Sequence, residues 1–91
     1  MKLYVLYYPD ENTYHVMYKD NVREGIPGVL CCRERENIET WLKALIHEGY
    51  AEDAEIRCLD IDDLITEVNK IRTQSYSLWI MDTTVTEVIY F

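Results

Sequence analysis

At 91 residues the chain is long enough for one hydrophobic core and too short for two, so residues 1–91 are expected to form a single domain. Its net charge of −8, from 17 acids and 9 bases, argues against DNA, RNA or an anionic membrane as a direct ligand, because phosphate binding runs on Lys and Arg displacing counterions. Hydrophobic residues make up 48%, enough apolar surface to offset the entropy of ordering, which excludes a disordered chain.

Residues 2–8 read as a strand, with Leu3, Val5 and Tyr7 on one side and Tyr4, Leu6 and Tyr8 on the other. Both sides are apolar or aromatic, as in a central strand covered on two faces. The run ends at Pro9-Asp10-Glu11 without a small-residue cleavage site, so it is not read as a signal peptide. Residues 9–13 are a turn by composition, and residues 14–19 alternate as a second strand, completing a hairpin. Asp20 to Gly28 reads as a loop, and Val29 to Cys32 as a third strand. A helix follows, in which Ile38, Trp41, Leu42, Leu45 and Ile46 form one buried stripe, Asn37 is the expected N-cap and Gly49 the stop.

Residues 54–59 read as a fourth strand with Ala54, Ile56 and Cys58 inward. A second helix opens with Asp60 as N-cap, and Leu64, Ile65, Val68 and Ile71 mark its buried side. Two strands close the chain, Tyr76 to Met81 and Val85 to Phe91, joined by a turn at residues 82–84. The order βββα(β)αββ predicts an α+β fold: a mostly antiparallel sheet with both helices packed on one face.

Chemistry-bearing patterns are sparse. The three cysteines, Cys31, Cys32 and Cys58, form no CxxC or zinc spacing and are read as free, packed thiols suited to the cytosol. Asp60, Asp62, Asp63 and Glu67 lack the glycine and loop length of a calcium site and are read as the acidic start of a helix, so no metal or cofactor is expected. No nucleophile, phosphate-loop, dinucleotide or zinc-protease motif occurs. No stretch is apolar for the ~18 residues of a membrane span.

Charge is distributed unevenly. Glu48, Glu52, Asp53, Glu55, Asp60, Asp62, Asp63 and Glu67 face a single base, Arg57, giving the segment a net charge of −7 in a chain of −8. Eight tyrosines, five of them between Tyr4 and Tyr18, could stack single-stranded bases, but no basic rim accompanies them. These features predict a cytoplasmic, non-catalytic protein-interaction module. It would dock Glu48, Glu52, Asp53, Glu55, Asp62, Asp63 and Glu67 on a basic protein surface, for example as an inhibitor or a decoy that imitates nucleic-acid phosphates. The alternative is a small-molecule or metal-binding domain, or a minor enzyme, which a concave pocket with convergent polar groups would favour. The apolar terminal strand, through Val88, Tyr90 and Phe91, also predicts a homodimer.

Overall fold

The computed structural model describes residues 1–17, 26–71, 76–82 and 86–91. Within them the elements run β1 (Lys2–Tyr8), β2 (Thr13–Tyr14), β3 (Val16–Met17), β4 (Gly28–Cys32), α1 (Arg35–His47), β5 (Glu55–Asp60), α2 (Ile61–Ile71), β6 (Ser77–Met81) and β7 (Thr86–Tyr90). The fold is α+β, as the sequence predicts, with one mostly antiparallel sheet. β5 lines one side of β1, β4 lies on the other side, and β6 and β7 follow outward. Among the described residues only the β4–β6 pairing is parallel. Tyr18 and Lys19 of the expected second strand, most of the expected loop after it, the Thr83-Thr84 turn and Val85 lie outside the described residues.

The two helices do not share a face. Leu3, Val5, Val29, Cys31, Leu78 and Ile80 pack with Leu64 and Val68 of α2. The alternate residues Leu6, Leu30 and Cys32 pack with Ile38 of α1. Side chains along a strand alternate between faces, so these are opposite sides of one sheet, and the expectation of a single covered face is corrected. The reason is visible in β1 and β4. Leu3, Val5 and Leu6 are all fully buried, as are Leu30, Cys31 and Cys32, and strands apolar on both sides need cover on both.

A second correction concerns the first hairpin. Tyr14 pairs with Tyr7, but Val16 pairs with Val29 of β4, so the chain reverses between them. His15 sits at the apex. Its N–H donates to the Leu6 carbonyl at 2.9 Å and its carbonyl accepts from the Leu30 N–H at 3.1 Å. β1 and β4 pair directly at Tyr4–Cys32 and Val5–Cys31 and then part, and residues 13–17 fill the fork as a wedge. The alternation that reads as one long strand is therefore two short ones.

The helix ends show which local signals held. α1 begins two residues before Asn37, with Glu34 at the N-cap and no side-chain cap of its own. At its other end Gly49 has φ +90°, its N–H donates to the Ile46 carbonyl, and the Tyr50 N–H reaches back to the Leu45 carbonyl at 2.8 Å. That pair of bonds is a Schellman stop, which favours glycine at the left-handed position. No atom lies within 4 Å of a Cβ placed there, so Gly49→Ala meets only backbone strain. Its expected cost is about 1 kcal/mol in chemical denaturation. α2 is capped as the sequence predicts, with Asp60 Oδ1 accepting from the Asp62 N–H at 3.2 Å.

Of the expected α1 stripe, Ile38 is fully buried, while Trp41, Leu42 and Leu45 are partly buried against it. Ile46 is 42% exposed. At roughly 100° per residue it lies about 80° around the helix from Ile38, at the margin of the face.

Candidate functional site

The open edge of β5 carries the acidic residues. Among the described residues β5 pairs with β1 alone, through a register running from Lys2–Asp60 to Tyr7–Glu55. Glu48 closes α1, Glu52 and Asp53 lie in the turn that follows, and Glu55 starts β5. Asp60 ends that strand, Asp62 and Asp63 form the first turn of α2, and Glu67 lies one turn further along it. The expected acidic surface is thus two groups at opposite ends of one strand. Five residue steps, at ~3.3 Å each, separate them by about 17 Å.

Within these groups the acids are poorly neutralised. Glu55 has Arg57 at 3.7 Å and Glu67 has Lys70 at 3.5 Å, both solvent-exposed pairs. Asp60 has the N-terminal ammonium at 3.9 Å. Among the described residues, Glu48, Glu52, Asp53, Asp62 and Asp63 form no ion pair, and all five are exposed. The segment's single base is also engaged by an aromatic face, with the Arg57 guanidinium 3.6 Å from the centroid of the Tyr7 ring.

The tyrosines described in the first hairpin, Tyr4, Tyr7, Tyr8 and Tyr14, are engaged with the fold. Tyr7 and Tyr14 pack with ring centroids 5.2 Å apart, and the Tyr7 hydroxyl donates to Asn12 Oδ1 at 2.7 Å. With Arg57 on one side of the Tyr7 ring and Tyr14 buried to 4% exposure, neither offers an open ring face for a base. Tyr8 and His15 Nδ1 share a hydrogen bond of 2.8 Å, and burial lowers the His15 pKa.

The thiols divide by strand. Cys31 and Cys32 are buried, as expected of packed cysteines. Burial pushes the Cys31 thiol up, and Cys32 is pushed up to about 12 by burial and by Asp82. Thiols held protonated in this way are poor nucleophiles. Cys58, expected to point inward, is exposed, on a strand that among the described residues pairs on one side only.

At the opposite edge of the sheet is a groove of about 440 Å³ between α1 and the β6–β7 pair, lined by Asn37, Thr40, Trp41, Ala44, Met81, Asp82 and Thr86. Its polar groups are directed into the protein. Trp41 Nε1 donates to the Met81 carbonyl at 3.1 Å, and the Thr40 hydroxyl to the Glu36 carbonyl at 2.9 Å. The Asp82 carboxylate accepts from Asn37 Nδ2 at 2.8 Å and from the Arg33 N–H at 3.1 Å. Asp82, the residue after β6, therefore anchors the start of α1, and Asn37 serves that contact in place of capping the helix itself.

Burial raises the Asp82 pKa, but the Asn37 bond, the backbone N–H groups of Arg33 and Glu34 and the Arg33 charge outweigh it, so the net shift is downward. A carboxyl lowered on folding contributes stability that is complete above its unfolded pKa of ~3.9 and is lost as pH falls through the folded value. Asp82→Asn is expected to cost about 1–2 kcal/mol at neutral pH. That difference should hold down to about pH 5 and shrink below about pH 4, as read by thermal melts across pH. A difference that stays constant to pH 2 would remove the charge from this account.

Among the described residues no three His, Cys, Asp or Glu side chains come together in a metal-holding arrangement, and no helix is long and apolar enough to cross a membrane. Compared with protein-family models, curated proteins and solved structures, the chain matches none. The acidic groups were legible from charge counting alone. The groove was not, because its lining joins α1 to residues some forty positions later, and each of those residues looks ordinary in the sequence.

Proposed function

We propose that the protein is a non-catalytic interaction module that docks its β5 edge on a basic protein surface. The observation that carries this reading is the set of five exposed acids without ion pairs, Glu48, Glu52, Asp53, Asp62 and Asp63, placed at the two ends of an open strand. Unneutralised charge on a rigid edge steers encounter and fixes register. Two acidic groups about 17 Å apart suit a partner with two positive patches at that spacing, or an extended basic segment lying along β5. A surface of this kind can also compete with nucleic acid for a basic protein, which is the decoy form of the reading. The groove gives no comparable support to a small-molecule site, since its polar groups are already bonded internally.

The test is capture from the native host's lysate with three baits: the wild type, Glu52→Lys/Asp53→Lys/Glu55→Lys and Asp62→Lys/Asp63→Lys. A basic protein retained by the wild type should be released by either set of reversals and by ~0.5 M salt, which shortens the screening length several-fold relative to dilute buffer. Retention unchanged by both reversals and by salt would overturn the reading.

A further inference from the structure

The other edge of the sheet has a different character, independent of the acidic reading. Among the described residues β7 pairs with β6 alone, and none of them pairs with its outer side. Its register with β6 sets Thr86 beside Met81, Val88 beside Trp79 and Tyr90 beside Ser77. Met81 packs with the α1 cluster, so Thr86, Val88 and Tyr90 share the α1 face, the side on which the groove opens. Ile89 and Phe91 pack on the α2 face. Tyr90 is 40% exposed.

We infer that β7 pairs antiparallel with β7 of a second copy of this chain, about a two-fold axis at Val88, and that each copy's Tyr90 fills the other's groove. Centring on Val88 pairs all five residues of the strand and keeps both copies' pleats in phase, which a shift by one residue would not. It sets Thr86 of each copy opposite Tyr90 of the other, and Thr86 lines the groove. The strand that borders the groove therefore also supplies the ring that reaches it, as an isologous interface requires. An aromatic ring suits the groove, whose lining includes the apolar side chains of Trp41, Ala44 and Met81.

Charge permits the pairing. Glu87 is bonded to Arg33 at 2.6 Å, and Arg33 also lies 3.6 Å from Asp82, so the acids nearest the joint are compensated within each copy. β5, the strand about which the segment carrying −7 is arranged, lies on the far side of β1, β4 and β6. Four strand spacings of ~4.8 Å put it about 19 Å from β7, beyond the ~8 Å screening length at physiological salt.

A five-residue strand pair with one aromatic anchor is a small interface, so dissociation on the order of micromolar is expected. Sedimentation equilibrium from 1 to 300 µM should show a monomer–dimer equilibrium. Tyr90→Ala and Ala44→Arg, both at exposed positions, should each weaken it at least about tenfold while circular dichroism stays that of the wild type. In a Cys58→Ser background, Val88→Cys should oxidise to a disulfide-linked dimer, because residues facing each other in an antiparallel pair fall within disulfide reach. A monomer mass throughout that range overturns the pairing. A dimer indifferent to both Tyr90→Ala and Ala44→Arg overturns the groove as its anchor, and failure of Val88→Cys to cross-link overturns the register.

Discussion

Gly28→Ala is expected to destabilise the protein by about 3 kcal/mol, the upper end of what one added methyl costs in a packed interior. Gly28 is the first residue of β4, paired with Met17 on one side and Ser77 on the other. A Cβ there would press on the face of the indole of Trp79, in the neighbouring strand β6, far inside van der Waals contact. Trp79 is 1% exposed and sits in a paired strand, so the ring has nowhere to withdraw. The glycine is required for space, not for an unusual backbone angle. For a domain of this size the loss corresponds to a fall in melting temperature of more than about 12 °C. The cause is tested by repeating the substitution in a Trp79→Leu background, where its cost should drop below about 1 kcal/mol. An equal cost in both backgrounds would show that the ring is not what the methyl meets.

The second large effect is at Ile38. Its side chain is fully buried against Leu6, Leu30 and Cys32, and Ile38→Ala should cost about 2–5 kcal/mol in urea denaturation. Leu45, part of the stripe the sequence predicts, is only partly buried, and Leu45→Ala should cost about 1–2 kcal/mol. Ile46→Ala, at an exposed position, should fall below about 0.5 kcal/mol. This ranking is specific to a helix that lies on the sheet by the side carrying Ile38, with Ile46 at its margin. If Ile46→Ala were as costly as Ile38→Ala, α1 would be rotated from the placement described.

Most elements were legible because each carries its own periodicity. β1 shows Leu3, Val5 and Tyr7 against Tyr4, Leu6 and Tyr8, and α2 shows Leu64 and Val68 behind an aspartate cap. The layer arrangement was partly legible. Two apolar faces on β1 already require cover on both sides, but a helix stripe does not state which face it covers, and the opposed placement was not drawn from it. The reversal at His15 was hidden for a different reason. Tyr14 and Val16 keep the two-residue alternation of a single strand, and no glycine or proline stands between them to mark a turn. The Asp82 anchor and the contact between Gly28 and Trp79 depend on partners brought together only by the folded sheet. At the acidic edge, charge counting found the residues but not their division into two groups, which follows from β5 running between them.

The path from β4 to β6 has a consequence for how the protein emerges from the ribosome. After Cys32 the chain crosses one face as α1, runs along the distant border as β5 and returns over the other face as α2, before Ser77 begins the strand that docks beside β4. Throughout that interval of translation one side of β4, the fully buried run Gly28–Cys32, has no neighbour to pair with. Pairings between residues so far apart in the chain also form slowly, since loop closure precedes any gain from contact. A nascent chain paused before Ser77 therefore exposes a short hydrophobic strand of the kind chaperones hold and aggregates recruit. Synthesis of β6 ends that exposure.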